Sequence, residues 1–298
     1  MANGPPVYRL LDSLDIPVTK SVWLFDPGAR RTTGGGTCDD PDYLKWVLSL
    51  KSSGHEIGFH NATDRTSTRA RTREALDRFE QLFGHPPRVG ADHAGNRESL
   101  YAGDRRVAGV RRLAYRAATR LLQPQRPTFS GEDPSSEYFW GDLARERIAY
   151  WRRFTFSRTD LLSTGPALYR DPATPYVNAW FDSCHGPRIE PFLDRLRPER
   201  LERLVEDGGL CLMYTHFGVD FVDERGAPDP RLVTALERLR SLDGWFAPVS
   251  SVLDHLRGQR GVVTLDRRAA ARHEYRWIGD RLRARSRFGP SVQTHEAA

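Results

Sequence analysis

The 298-residue chain has 45 Lys and Arg against 39 Asp and Glu, a formal charge of +6 and a pI near 9.4. Its 39% hydrophobic and 28% charged residues are typical of a globular protein and argue against a disordered one. Three cysteines without close spacing indicate neither a disulfide framework nor a cysteine zinc knuckle. No apolar run is long enough to span a membrane and no signal-peptide pattern opens the chain, so we expect a cytoplasmic protein.

The first elements read as a helix and a strand. Apolar residues at helical spacing from Val7 to Leu14 predict the helix, and Pro17 ends it before a strand over residues 18–25. A run of three glycines at positions 34–36 then leads to a second helix with Pro41 in its first turn. The glycines lack the following Lys-Ser/Thr of a phosphate-binding loop, so we interpret them as a flexible connection.

The segment from Gly54 to Asp64 is the centre of the pattern. Its apolar run Glu56 to Phe59 predicts a buried strand, which places His60 and Asp64 at the carboxyl end, where α/β folds keep their sites. An imidazole and a carboxylate at this spacing suit zinc or another divalent metal. The alternative is a loop histidine and an Asp that caps the next helix.

A helix ending at Gly84 comes next, followed by a strand over residues 88–91 that leads to Asp92 and His93. The Arg- and Ala-rich stretch at 105–122 predicts a solvated helix covering the sheet, with contact to an anionic partner as the alternative. A cluster of aromatic residues follows, either a platform on which sugar rings stack or ordinary core packing. The cluster comprises Tyr138, Phe139, Trp140, Tyr150, Trp151 and Phe154.

Two later strands also end in polar groups. The strand at 176–181 precedes Asp182 and His185, which are candidates for substrate binding. The apolar run at 210–214 precedes His216, either a general acid or base or a structural histidine.

The alternation of strands and helices predicts an α/β fold with parallel strands. We expect residues 1–265 to form this domain and residues 266–298 to form a basic, Arg-rich tail. Between Asp266 and Arg287 the tail has eight arginines against three acidic residues. It is interpreted as an exposed helical extension, with a polyanion-binding arm as the alternative.

Four phrases, "LLDSLDIPVT", "SGHEIGFH", "GHPPRVGADHAG" and "LMYTHFG", occur in an order that resembles the polysaccharide deacetylase (NodB homology) family over roughly residues 7–256. The resemblance implies an irregular (β/α) barrel of parallel strands. It also implies one divalent metal held by an Asp and two His, whose bound water attacks an acetamide carbonyl with an Asp as base and a late His as acid. On this pattern His60 is the first His ligand and His216 is the acid.

The chain departs from the family pattern at three places. The family's Asp-Asp pair lies on a strand before the first helix, and only residues 1–6 stand there, so we expect a barrel that is incomplete at the N-terminus. Asp64 stands where the family has its second His, and a carboxylate can still bind zinc. His93 is the candidate for the missing imidazole and Asp92 for the missing base. The expected metal ligands are thus His60, Asp64 and His93.

Three functions remain open. The first is a metal-dependent hydrolase, with zinc as the expected ion, that removes N- or O-linked acetyl groups from a sugar or polysaccharide precursor. The second is a catalytically inactive deacetylase-like protein that binds glycan or scaffolds a polysaccharide pathway. The third, a nucleic-acid or membrane-surface binder that uses the arginines, is the least favoured and would show steep salt dependence.

Overall fold

The computed structural model describes residues 3–28 and 34–288, which form one eight-stranded sheet with helices around it. The strands are β1 (Thr19–Val22), β2 (Glu56–Phe59), β3 (Val89–Gly90), β4 (Tyr150–Phe156), β5 (Leu168–Arg170), β6 (Trp180–His185), β7 (Met213–Tyr214) and β8 (Val263–Thr264). The helices before β4 are α1 (Gly4–Ser13), α2 (Pro41–Ser52), α3 (Arg69–Phe83), α4 (Gly109–Leu122) and α5 (Gly141–Arg147), with a 3₁₀ turn at Gly103–Arg106. Those after it are α6 (Ile189–Arg195), α7 (Pro198–Glu206), α8 (Phe217–Asp220), α9 (Pro230–Arg240), α10 (Val249–Arg260) and α11 (Arg267–Phe288).

The sheet is predominantly parallel, which confirms the predicted α/β class. Its order is β1-β2-β3-β4-β6-β5-β8, and β7 pairs with β6. Among the described strands only β5 and β6 pair antiparallel. The carboxyl ends of β2, β3, β4 and β7 therefore meet along one edge, where α/β folds place their sites.

Local signals set several helix ends. Asp40 caps α2 by accepting hydrogen bonds from the backbone of Asp42 and Tyr43, and Pro41 occupies the first turn. Gly84 ends α3 in the left-handed conformation, with φ of 79°, which a residue without Cβ adopts at no steric cost.

His55, the first histidine of the "GHEIGFH" phrase, has a structural role. Its Nδ1 accepts a hydrogen bond from the backbone N–H of Val18 at 3.0 Å, so Nε2 carries the proton and donates to Asp12 at 2.9 Å. The imidazole thus links α1 to the start of the β1–β2 pair, while His60 at the other end of the phrase faces the carboxyl edge.

The aromatic cluster is largely core. Trp140, Tyr150, Trp151 and Phe154 are each at most 2% exposed, so their rings are closed to a sugar. Half of the cluster (Tyr150, Trp151 and Phe154) belongs to β4, a strand that the sequence pattern did not indicate because two arginines interrupt its apolar run. Arg153 is accommodated in the interior by an ion pair with Asp171 at 2.8 Å.

The strand predicted at residues 176–181 lies later, at Trp180–His185, so Asp182 and His185 belong to β6 instead of following it. Asp182 is tolerated inside the strand because hydrogen bonds satisfy its carboxylate. The backbone N–H of Phe154, the Tyr169 hydroxyl and His273 all donate to it.

The predicted basic tail forms α11, and its first part packs on the sheet. His273, Glu274 and Trp277 are at most 5% exposed, and the Trp277 ring stacks on Phe154 with centroids 4.8 Å apart. Residues 289–298 of the predicted tail lie outside the described residues. Among the described residues, no helix is both long and apolar enough to cross a bilayer.

This packing predicts that Trp277→Ala destabilises the whole domain. Removing a buried Trp leaves a cavity and should lower the free energy of unfolding by about 3–5 kcal/mol, measured by urea denaturation. Tyr275, on the same helix but 56% exposed, is the matched control, and Tyr275→Ala should cost about 0.5 kcal/mol or less. Equal effects of the two substitutions would show that α11 is not part of the cooperative unit.

Candidate functional site

A cleft opens at the carboxyl edge of the sheet and encloses about 630 Å³ of empty space, its open mouth included. Residues from β4 and from the segments that follow β2, β3 and β7 line it. They are His60, Asp92, His93, Ala94, Ala102, Arg106, Arg126, Phe129, Arg152, Arg153, Thr155, Tyr214 and His216.

His60 leaves the end of β2 and turns into the cleft. Its Nδ1–H donates to the Ala91 carbonyl at 2.9 Å, so the lone pair of the neutral ring is on Nε2. The imidazole stacks on Trp23, which follows β1, with centroids 5.4 Å apart. Burial, with His93 close by, holds the pKa of His60 well below its ordinary value, so the ring is neutral at pH 7.

His93 follows β3 and meets His60 edge to face, with centroids 5.4 Å apart. Its Nδ1–H donates to Asn96 Oδ1 at 3.1 Å, and its backbone N–H donates to Asn61 Oδ1 at 2.7 Å. The Asn96 amide is fixed because its nitrogen donates to the Thr63 carbonyl. Both histidines therefore use Nδ1 as donor, the arrangement that metal-binding imidazoles usually have.

The buried carboxyl of Glu98 joins the two loops that carry these histidines. It accepts hydrogen bonds from the backbone of Ser67 at 3.0 Å, from Asn96 Nδ2 at 2.9 Å and from Asn61 Nδ2 at 3.4 Å. Burial raises the pKa of Glu98 to about 7, although these hydrogen bonds oppose the rise. The sequence analysis missed Glu98 because it follows no strand and belongs to none of the matched phrases.

Asp92 has the environment of an acid–base group. Its carboxylate accepts hydrogen bonds from the backbone of Leu100 at 2.9 Å and from Trp151 Nε1 at 3.1 Å. Burial raises the pKa of Asp92 to about 6, with these hydrogen bonds and the positive charge of Arg106 acting against it. A carboxyl of this pKa in a cleft can both take and return a proton near neutral pH.

His216 lies across the cleft and bonds to Tyr214. Its Nε2 is 2.9 Å from the Tyr214 hydroxyl, and the Arg152 guanidinium lies over the tyrosine ring, 4.0 Å from its centroid. Burial first, then Arg152, lowers the pKa of His216 to about 4. The ring is neutral at pH 7 and becomes a strong acid once it has gained a proton.

The predicted zinc ligands are only partly brought together. His60 and His93 are in contact, but Asp64 is buried in the loop after β2 and does not line the cleft. Within residues 3–28 and 34–288, no group of three or more His, Cys, Asp or Glu side chains could hold a metal ion. The arrangement does not fit a three-ligand metal centre, so we derive no chemical step through a metal, and zinc stays a prediction.

The predicted substrate-binding pair does not line the cleft. Asp182 is fully buried, and its carboxylate is bonded to His273 Nε2 at 2.7 Å. His185 contacts the Tyr214 ring at a centroid distance of 6.2 Å, and burial lowers its pKa to about 3. Neither side chain lines the cleft, so their positions give no support to contact with substrate.

The sequence analysis also missed the arginines of the cleft. Arg152 and Arg153 belong to β4, Arg106 ends the 3₁₀ turn, and Arg126 follows α4. The chain is rich in arginine throughout, so these four had no signal that distinguished them from surface arginines.

The comparisons with known proteins add no relative. No protein-family model matches the sequence, and no curated protein matches it. The resemblance to polysaccharide deacetylases therefore rests on the sequence motifs.

The low pKa of His216 predicts an acid-sensitive contribution to stability. Between its ordinary value of 6.5 and about 4, the unfolded chain takes up a proton that the folded chain resists, so the folded state loses stability as pH falls. The stability advantage of wild type over His216→Gln should therefore shrink from pH 7 to pH 4 by about 1–3 kcal/mol, since the ring is partly exposed. Urea denaturation at several pH values measures it.

The exposed His255 provides the control, because His255→Gln removes one histidine without changing the cleft. A pH-independent difference between wild type and His216→Gln would contradict the assignment.

Proposed function

We propose that the protein is a hydrolase of the polysaccharide deacetylase type, which removes an acetyl group from a sugar or polysaccharide precursor. The observation that carries the proposal is the meeting of His60, Asp92, His93 and His216 in one cleft. Three separate phrases of the sequence contribute these residues, over more than half of the chain. Hydrolysis of an amide or ester needs a base, an acid and a charge-stabilising group, and the cleft has candidates for each.

The roles follow from the protonation states. Asp92, ionised above a pKa of about 6, takes a proton from the attacking water. Arg152 lines the same cleft and would stabilise the negative charge that develops on the carbonyl oxygen. His216, neutral at pH 7, would accept this proton from Asp92 and pass it as an acid to the leaving nitrogen or oxygen, and the Tyr214 hydroxyl orients its ring.

We include the barrel type of the fold and the cellular location of the protein in the same proposal. The strands β1, β2, β3, β4, β6 and β7 pair in parallel in this order, as the strands in the wall of a barrel do. β1 is at one end of this row of strands. A further parallel strand beside β1 would extend this wall toward the irregular (β/α) barrel of the deacetylase family. The three free cysteines suit a cytoplasmic location, where thiols stay reduced.

A second candidate is a deacetylase-like protein that binds glycan without hydrolysing it. The observation that favours it is the lack, among the described residues, of a three-ligand metal group. On this account the histidines shape a binding cleft and Asp92 is a polar contact for a sugar hydroxyl.

We expect Asp92→Asn to lower acetate release from acetylated mono- and oligosaccharides by about 10²–10⁴-fold, because an amide cannot accept the proton of water. In wild type the rate should fall as pH drops through about 6, where Asp92 becomes protonated. An enzymatic acetate assay from pH 5 to 8 measures both effects. The control is Asp243→Asn, a substitution at an exposed position, which should leave the rate unchanged. Full activity in a folded Asp92→Asn protein would refute the role.

Acetate release separates the two candidates, and metal content tests the zinc prediction. Protein purified without chelator and analysed for elements should contain about one equivalent of a divalent metal if the deacetylase centre exists. The His60→Ala, Asp64→Ala double variant should lose this metal, whereas His216→Ala should keep it and lose turnover. Absence of both metal and acetate release from the wild-type protein would favour the glycan-binding candidate.

A further inference from the structure

Four arginines line the cleft, and they differ in how their charge is compensated. Arg153 is neutralised within the fold, since its guanidinium is 2.8 Å from Asp171 and 3.8 Å from Glu274. Its charge is thus balanced by carboxylates beneath the cleft. The guanidiniums of Arg106 and Arg126 form no ion pair with a carboxylate of the described residues.

Arg126 has neutral partners. Its Nη1 is 3.4 Å from both the Tyr115 hydroxyl and Gln123 Oε1, and its guanidinium lies over the Phe129 ring at 5.5 Å. These contacts fix the direction of the side chain without removing its positive charge. Arg152 lies over the face of the Tyr214 ring.

Arg106 stands out among the four. It is half-buried at the end of the 3₁₀ turn, and its guanidinium makes no hydrogen bond or ion pair with the described residues. Burial lowers its pKa, with Arg126 and Arg152 adding to the effect. Five N–H donors of a partly desolvated guanidinium are thus turned to a cleft that already contains two other cations.

The cleft has little negative charge to offset these cations. Among its lining residues the one carboxyl is Asp92, which already accepts hydrogen bonds from Leu100 and Trp151. Like charges gathered in a partly dry cleft repel one another, and they persist where an anion or ordered water compensates them. Guanidinium forks match the oxygens of carboxylate and phosphate in geometry as well as charge.

We propose that Arg106 and Arg126 form an oxyanion site, and that the ligand of the cleft is a sugar bearing a carboxylate or phosphate. The assignment of the ligand to a sugar rests on the proposed function, whereas the preference for an anion rests on the arginines alone. An anionic substituent held by the guanidiniums would place the neutral part of the sugar beside Asp92 and the histidines. The cleft thus discriminates charged from neutral sugars.

Calorimetric titration of the full chain tests the proposal without requiring turnover. The probes are glucuronate, glucose 6-phosphate, neutral glucose and inorganic phosphate. At least one of the anionic sugars should bind about tenfold or more tightly than glucose, and added NaCl should weaken it. The tighter of the two anionic sugars identifies the oxyanion. Arg106→Ala should lower that affinity about tenfold, and Arg106→Lys should restore part of it.

Arg238 supplies the matched control, because it is an exposed arginine paired with Glu202 at 2.9 Å on the surface. Arg238→Ala should bind the anionic sugar as wild type does. Arg106→Gln replaces the alanine variant if the latter does not fold. Equal binding of glucose and the anionic sugars, or unchanged binding in a folded Arg106 variant, would overturn the oxyanion site. Inorganic phosphate binding as tightly as the sugars would overturn the assignment to a sugar.

The two proposals fail separately. A protein that releases no acetate but binds an anionic sugar through Arg106 would retain the oxyanion site and lose the hydrolase. A protein that deacetylates neutral sugars as readily as charged ones would do the reverse.

Discussion

The cleft depends on one buried carboxyl. Glu98 has no exposed surface, and it receives hydrogen bonds from both the loop after β2 and the loop after β3. These loops carry His60 and His93, so the relative position of the two imidazoles follows from a network that neither loop could form alone. Burying a carboxyl costs free energy, which appears as the pKa of about 7, and the hydrogen bonds offset the cost.

Burial and the positive charge of nearby arginines have opposite effects on the pKa of Asp92 but the same effect on the pKa of His216. Burial raises the pKa of Asp92, while the nearby Arg106 limits the rise to a value of about 6. For His216, burial and Arg152 act together, and the pKa falls to about 4. Arg106 thus keeps the Asp92 carboxyl near its titration point, and Arg152 helps to keep the His216 imidazole neutral, so that one cleft contains a proton acceptor and a group that is a strong acid once protonated.

The proposed likeness to polysaccharide deacetylases fits the histidines of the cleft better than it fits a metal site. The phrases that resemble the family place His60 and His216 after the carboxyl ends of β2 and β7, and both side chains line the cleft. The metal site of the family pattern fits the structure less well, because Asp64 does not line the cleft and the described residues lack a three-ligand group. The arginines introduce a feature that the resemblance does not imply, and it points to the charge of the ligand more than to the reaction.

The sequence by itself determined the features that depend on neighbouring residues. The bounds of β2, the place of Pro41 in the first turn of α2 and the end of α3 at Gly84 were predicted correctly, because apolar period, the fixed φ of proline and left-handed glycine act within a few residues. Tertiary structure alone decided the rest. The packing of α11 through Trp277 and the partners of Arg106 and Glu98 depend on residues distant in the chain. The order of the strands in the sheet decides which of these side chains are buried and which residues they meet, and no local sequence pattern specifies that order.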